Sequence, residues 1–283
     1  MVAVAAVGAC SDDADVAPIE VPPAVAAPGT EEASEEESPE PEQAETGYRQ
    51  VDGPAGAVEG VVRWRGARPS NPVLDVHMQH AVCGRVQQVP AVAIGRGGGV
   101  AGAVVSVEGI ESGPRAAPSE PAVLDQVGCR YEPHVLAMME GQPLTFRNSD
   151  DVLHNVHAIW EDGSDWFNVG QPRQGTSSTR TPERTGVARV VCDAGHAWML
   201  AWVLVLRHPY FAVTDAEGRF RIEGVPAGAQ RLRLWHQGWE TVGQASGRPT
   251  FTEPVIVEQA VEVPSDGSAA LELTLPVHPP ETP

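Results

Sequence analysis

Residues 192–199 read Cys-Asp-Ala-Gly-His-Ala-Trp-Met and place a thiol, an imidazole and a thioether within eight residues. Strand-like apolar runs lie on both sides of this segment, at residues 187–191 and 200–206. The segment is therefore predicted to be a short loop between two strands, in which the thiol, the imidazole and the thioether can surround a single ion. A further strand-like run, residues 153–157, supplies another imidazole from His154.

This combination of side chains predicts a metal site. One cysteine, two histidines and a weakly bound methionine are the ligands that select copper. We predict one mononuclear copper ion held by His154, Cys192, His196 and Met199. Each ligand has a plainer alternative: His154 as a hydrogen-bonded strand residue, Met199 as core, and Cys192 as a buried, unreactive thiol. His157 lies three positions after His154 and should face the other side of the strand.

The N-terminal part of the chain resembles an exported, lipid-anchored protein. Residues 1–10 form an apolar signal whose last residues, Val7-Gly8-Ala9-Cys10, resemble a bacterial lipobox, in which the cysteine is acylated. Residues 11–57 are rich in Glu, Pro and Ala, with twelve acids and no base between positions 12 and 45. Such a composition predicts a disordered acidic linker. We therefore expect a membrane-attached protein of the bacterial cell envelope, facing the periplasm or lying at the outer membrane.

The cysteines give a separate argument for the metal. The chain has four of them, and if Cys10 is acylated, three remain. In an oxidising envelope two of these should pair. Cys83 and Cys129 flank the early strands and are the predicted disulfide, with pairing of Cys192 to one of them as the alternative. An odd thiol in such a compartment needs an explanation, and metal ligation supplies one.

The rest of the sequence predicts an all-β protein. Short runs of alternating hydrophobicity, separated by turns among 26 Pro and 29 Gly, recur along the chain, and no long helical period is present. We predict a β-sandwich over residues 58–207 and a smaller β-module over 208–283. The second module begins with a predicted three-stranded meander between residues 211 and 236, which later strands extend into a small sheet or sandwich.

At this point a family resemblance can be stated. The stretch from Phe146-Arg147-Asn148 to Leu153-His154-Asn155-Val156, taken with Cys192, His196 and Met199, resembles the cupredoxin family. The resemblance implies a cupredoxin-like copper domain and a tying role for Asn155. Cupredoxin-like relatives usually have two residues between the cysteine and the histidine, whereas this chain has three, and Gly195 is expected to absorb the extra residue.

A second resemblance covers the end of the chain. Residues 214–228 are similar to carboxypeptidase regulatory-like (transthyretin-like) β-sandwich modules. The span from about 128 to 237 resembles bacterial envelope proteins described as methylamine-utilisation-like or plastocyanin-like. These resemblances imply a copper domain joined to a β-module.

The functional expectation is outer-sphere electron transfer with an unidentified protein redox partner. The net charge of −19 argues against a nucleic-acid partner, because phosphate binding needs a basic surface. The sequence contains no nucleophile elbow, phosphate loop or His-Glu-x-x-His motif, so an enzyme is not expected. Two alternatives stay open: a copper carrier or buffer with the same ligands, and a metal-free structural or carbohydrate-binding β-sandwich protein.

Overall fold

The computed structural model describes residues 47–275, and almost all regular structure in them is β. The predicted all-β class is therefore confirmed. A single short helix, α1 (His80–Cys83), occurs in this range, and no helix among residues 47–275 is long and apolar enough to cross a membrane. The strands are β1 (Arg49–Gln50), β2 (Ala55–Trp64), β3 (Val73–Asp75), β4 (Val86–Gln88), β5 (Ala93–Ile94), β6 (Val100–Ala101), β7 (Val104–Val107), β8 (Ser112–Gly113), β9 (Ala122–Gln126), β10 (Tyr131–Glu132), β11 (Val135–Met139), β12 (Leu144–Asn148), β13 (His154–Trp160), β14 (Asp165–Gln171), β15 (Ser177–Arg180), β16 (Gly186–Val191), β17 (Leu200–Leu206), β18 (Phe211–Val213), β19 (Arg219–Pro226), β20 (Gly228–His236), β21 (Thr241–Ala245), β22 (Arg248–Phe251), β23 (Val255–Val263) and β24 (Ser268–Leu275).

The first sandwich is built from residues 122–206. One sheet has the strand order β10-β9-β12-β15, and the other has the order β11-β17-β16-β13-β14. Both sheets contribute to one buried core, because alternate side chains of each strand point inward. In β13 the inward residues are His154, Val156, Ala158 and Trp160, so the predicted ligand lies on the core face.

The second sandwich also consists of two sheets around a common core. Its strand orders are β18-β7-β20-β23 and β19-β2-β24. Val62 and Leu273 from one sheet pack in the same core as Val105 and Leu232 from the other. The predicted meander over 211–236 is therefore wrong: β18 and β20 both pair with β7, while β19 lies in the other sheet beside β2. The hydrophobic alternation located these strands, but it carries no information on which strand each one pairs with.

The two sandwiches do not follow one another along the chain. Strands β2 and β7 come before residue 122, yet they pair with strands that come after residue 210. The first sandwich is thus inserted into the second. The predicted division at 207/208 assigned β2 and β7 to the wrong sandwich, because sequence order alone cannot reveal pairing across an insertion.

The two sandwiches contact each other through a small apolar cluster. Val104 and Trp235 of the second sandwich are buried together with Val135 and Leu204 of the first. All described residues belong to one compact unit.

The predicted N-terminal features lie mostly outside the described residues. The lipobox with Cys10 and the linker up to residue 46 are in this position. The linker was predicted to extend to residue 57, and here the structure differs. Tyr48 is buried, and its hydroxyl donates to the carbonyl of Gly113 at 2.9 Å, while β2 already begins at Ala55. A buried aromatic ring anchors this Gly- and Pro-containing stretch to the second sandwich.

Candidate metal centre

One predicted ligand lies in β13, and the other three lie in the loop between β16 and β17. His154 is the first residue of β13, and Cys192 directly follows β16. Because β13 and β16 are antiparallel neighbours, the start of one lies beside the end of the other. His196 lies within the ligand loop (residues 192–199), and Met199 directly precedes β17. All four residues are at most 1% exposed.

The donor atoms of three ligands converge. His154 Nδ1 lies 3.2 Å from His196 Nδ1, and Cys192 Sγ lies 3.4 Å from the same His196 nitrogen. One donor atom from each of the three residues lies within 4.8 Å of the others. Atoms bound to one ion at about 2.0–2.3 Å have separations of this size. Met199 is buried in the same loop, and its backbone N–H donates to the His196 carbonyl at 3.0 Å.

The hydrogen bonds on the far side of each ring determine the tautomers. His154 Nε2 is 2.9 Å from a carboxylate oxygen of Asp150, which can only accept a proton, so Nε2 is the donor. His196 Nε2 donates to Gln79 Oε1 at 2.7 Å. In both neutral rings the Nδ1 atom therefore carries a lone pair. Two lone pairs that face each other at 3.2 Å repel, and a cation between them removes this repulsion. The site thus fits a metal ion.

The titration properties of the rings agree with this interpretation. Burial lowers the pKa of His154, although the hydrogen bond and charge of Asp150 act in the opposite direction. Burial, together with the neighbouring His154, lowers the pKa of His196 to about 4. Both imidazoles are therefore neutral at neutral pH, which is the form that binds metals.

The pKa of the Cys192 thiol is raised overall, so the thiol is protonated when no metal ion is bound. Burial raises its pKa, while a hydrogen bond from the backbone N–H of Asn155, with an N–S distance of 3.3 Å, and the charge of Arg248 lower it. A coordinated metal ion would remove the thiol proton. The Asn155 N–H is already directed at the sulfur and would stabilise the resulting thiolate.

Asn155 ties the ligand loop to β13, as the family resemblance implies. Its side-chain oxygen accepts from the N–H of Asp193 at 3.1 Å, and its amide nitrogen donates to the Val169 carbonyl at 3.2 Å. Within the loop, Gly195 has a φ of +90°, which suits glycine and few other residues. The predicted role of Gly195 thus agrees with the backbone.

A buried polar network holds the turn before His154. The Asn148 side chain donates to the carbonyls of Val152 and Gln171 at 2.9 and 3.0 Å, and it accepts from the Asp150 N–H at 2.9 Å. The Asp150 carboxylate accepts from His154 and from the N–H groups of Gly128 and Cys129, both at 2.7 Å. The imidazole of His154 is therefore fixed by a carboxylate that is itself held by two other N–H groups.

Residues 76–84, here called the cover segment, close the site over His196. Cys83 forms a disulfide with Cys129, the predicted pair, and its Sγ lies 3.8 Å from His196 Nε2. Gln79 reaches the same nitrogen from a left-handed backbone conformation, with φ of +58°. On the other side, the Trp198 ring lies 5.2 Å from the His196 ring. His196 is consequently shielded from water.

His157 lies outside the cluster of donor atoms, on the other face of β13, as predicted. Its two ring nitrogens contact Asp193 at 2.6 Å and Asp165 at 2.9 Å. Burial lowers its pKa, but the two carboxylates outweigh this effect and raise the pKa overall. His157 therefore acts as a partner of two aspartates near the surface.

Three residues at the site were missed by sequence reasoning. Asp150 orients His154, Gln79 binds His196, and Arg248 donates to three carbonyls of the ligand loop. Gln79 and Arg248 are distant in sequence from every ligand, so no local pattern identifies them. Asp150 lies only four residues before His154, so its proximity to the ligand was a signal present in the sequence.

Neither a protein-family model nor a curated protein matches this sequence. Among solved structures, a purple cupredoxin from Nitrosopumilus maritimus is 24% identical over 31% of this chain and all of its own, with a TM-score of 0.27. Amicyanin from Paracoccus versutus is 16% identical over 31% of this chain and 84% of its own, with a TM-score of 0.28. A copper-containing nitrite reductase from Thermus scotoductus is 22% identical over 32% of this chain and 24% of its own, with a TM-score of 0.27. At these values the similarity by itself assigns neither a family nor a ligand to this chain.

Proposed function

We propose that this chain is a cupredoxin-like electron-transfer protein that binds one copper ion. His154, Cys192 and His196 would be the strong ligands and Met199 a weak one. The observation that carries the proposal is the approach of His154 Nδ1 to His196 Nδ1 at 3.2 Å, with the Cys192 sulfur 3.4 Å from the His196 nitrogen. Two imidazoles, a thiolate and a thioether form a soft donor set that suits copper better than Mg²⁺ or Ca²⁺.

A copper ion at this site supplies a one-electron Cu(II)/Cu(I) couple. The protein contributes a dry and rigid set of ligands. Each ligand imidazole is hydrogen-bonded through its outer nitrogen, and the sulfur of Cys192 accepts a backbone N–H. With these side chains at most 1% exposed, water does not enter the ligand set. Ligands that are held in place rearrange little when the charge of the site changes, which favours electron transfer to a partner protein.

The same burial argues against a copper carrier. A carrier must exchange its metal with partner proteins, and exchange needs at least one accessible ligand. Here His196, which lies nearest to the cover segment, is fully buried beneath Gln79 and the disulfide. Electron exchange does not require direct access to the ligands, so it is the function that this burial supports better.

The decisive experiment is the visible spectrum and copper content of the protein after loading with Cu(II). An intense thiolate-to-copper band with one equivalent of copper is expected. Cys192→Ser and His154→Gln should lose the band, whereas His77→Gln, at an exposed position, should keep it. A colourless protein without stoichiometric copper would refute the proposal and favour the structural or carbohydrate-binding alternative. Tight Cu(I) binding without electron exchange would favour the carrier.

We further propose that the protein works in the bacterial envelope, attached to a membrane through acylated Cys10, with a protein redox partner rather than an enzymatic substrate. The Cys83–Cys129 disulfide supports an oxidising compartment. The second sandwich would be the carboxypeptidase regulatory-like module that residues 214–228 resemble. Expression with a labelled fatty acid tests the anchor: the label should appear in the parent protein and disappear in Cys10→Ala. Equal labelling of both proteins, or of neither, would refute it.

A further inference from the structure

The hairpin of β21 and β22, which follows β20 along the chain, sends one side chain to the ligand loop. Strands β21 and β22 pair only with each other among the described strands, and Ala245 faces Arg248 across a two-residue turn. The turn residues, Ser246 and Gly247, both have positive φ, at 51° and 76°. This conformation is that of a tight type I′ hairpin turn. Arg248 is therefore the first residue after the turn, at the end of the hairpin.

The guanidinium group of Arg248 connects the two ends of the ligand loop. Its Nη2 atom donates to the carbonyl of Cys192 at 3.0 Å, where the loop begins. Its Nη1 atom donates to the carbonyls of Ala197 and Met199, at 3.0 and 2.7 Å, where the loop ends. One planar, rigid group thus fixes the separation of the loop ends.

Because the Arg248 side chain is buried, its hydrogen bonds must replace the water that would otherwise solvate its charge. The Arg248 side chain is only 12% exposed, and its nearest carboxylate oxygen, on Asp193, is 4.0 Å away. A buried charge needs hydrogen bonds to offset its lost hydration, and here three loop carbonyls supply them. Without the guanidinium, these part-buried carbonyls would lose their donor. Because unpaired buried carbonyls cost free energy, the loop would rearrange to expose them to water or to other donors.

The geometry points to Arg248 as a positioning residue for the metal centre. From the hairpin β21–β22 it holds the ligand loop, so that Cys192, His196 and Met199 keep their positions. Its positive charge also lies beside the site, where it opposes the more positive oxidised state. This inference rests on the proposed copper function for its effect on the metal, but the effect on the loop holds for the protein without metal.

The chain offers a matched control. Arg189 of β16 and Arg248 line the same cavity of about 170 Å³. No hydrogen bond from the Arg189 side chain to the ligand loop is present among the described residues. Arg189→Gln removes a positive charge at nearly the same place while the loop keeps its guanidinium. Arg248→Lys keeps the charge but loses the planar donor pattern.

The test compares the full chain with Arg248→Met, Arg248→Lys and Arg189→Gln. In metal-free protein, amide hydrogen exchange over residues 192–200 should be about tenfold or more faster in Arg248→Met, and faster in Arg248→Lys, with Arg189→Gln close to the parent. After copper loading, Arg248→Met should release copper to a chelator faster and have a lower reduction potential.

Unchanged exchange over residues 192–200 in both Arg248 variants would overturn the inference, and so would equal acceleration in Arg189→Gln. If Arg248→Met does not fold, Arg248→Lys against the parent decides by the same measure. Failure of the proposed function gives a different result: the parent takes up no copper, while the exchange data still show whether Arg248 holds the loop.

Discussion

At the scale of single residues, the protonation pattern is what makes a group of polar side chains suitable for binding a metal ion. Buried histidines are common, and most of them donate and accept hydrogen bonds within the protein. In this protein the outer nitrogens of His154 and His196 are used by Asp150 and Gln79, which leaves two inner nitrogens without a proton between them. Asp150 and Gln79 therefore determine which nitrogen of each ring is free to bind a metal ion.

Asp150 gives a prediction at this scale. Asp150→Asn keeps the shape of the side chain but removes the charge that fixes the His154 tautomer. We expect copper affinity to fall about 10–100-fold, the usual cost of losing such a partner of a ligand. Competition with a chelator of known affinity measures this. Asp151→Asn changes the exposed neighbour and should leave the affinity unchanged. Equal affinity in Asp150→Asn and the parent would contradict the role given to Asp150.

At the scale of elements, the cover segment and the hairpin β21–β22 close the site from outside the first sandwich. The cover segment has little regular structure of its own, only the short helix α1, so its position depends on the disulfide and on contacts such as that of Gln79. The hairpin is an isolated pair of strands, which is marginally stable without further packing. Phe251, at its end, packs against both large cores and supplies that packing.

The disulfide gives a prediction for the cover segment. The double variant Cys83→Ala with Cys129→Ala should lose about 2–4 kcal/mol of unfolding free energy, because the unfolded chain is no longer constrained. It should also release copper faster, because residues 76–84 are no longer tied over His196. Denaturant unfolding and release to a chelator measure the two effects.

Gln79→Ala is the matched variant for this experiment, because it keeps the disulfide and removes only the hydrogen bond to His196. It separates the covalent contribution of the cover segment from that of the single side chain. If the double variant loses stability but releases copper at the parent rate, the cover segment does not control access to the site.

At the scale of the whole molecule, buried histidines make the stability depend on pH. His236 is 3% exposed, and burial, together with the neighbouring His134, lowers its pKa from 6.5 to about 4. Between these values the unfolded chain binds more protons than the folded chain, so stability rises with pH there. Stability from this residue is complete above about pH 6.5 and is lost as the pH falls toward 4.

His236→Gln tests this pH dependence. The protonation of His236 lowers the free energy of unfolding by about 3 kcal/mol as the pH falls from 6.5 to 4. The variant should therefore show a shallower rise of unfolding free energy between pH 4 and 6.5 than the parent. Denaturant titrations of metal-free protein at several pH values measure the slope. An identical slope in His236→Gln would show that His236 is not the source.

The sequence by itself determined the all-β class and most strand positions, and it identified His154, Cys192 and His196, whose donor atoms the structure brings together. These follow from local information: apolar runs locate strands such as Gly186–Val191 and Leu200–Leu206, and a loop of eight residues can bring its own side chains together wherever it lies. The unusual backbone at Gly195, with a φ of +90°, was also expected from the sequence, because glycine is the residue that adopts it most easily.

Only the tertiary structure decided which strands pair and what surrounds the donors. The insertion of the first sandwich into the second depends on contacts between strands such as β2 and β24, which are separated by about two hundred residues. The same holds for Gln79 and Arg248, which reach the ligand loop from other parts of the chain. Pairing and side-chain contact over such separations depend on how the whole chain minimises exposed apolar surface and unpaired polar groups, and no local pattern encodes that result.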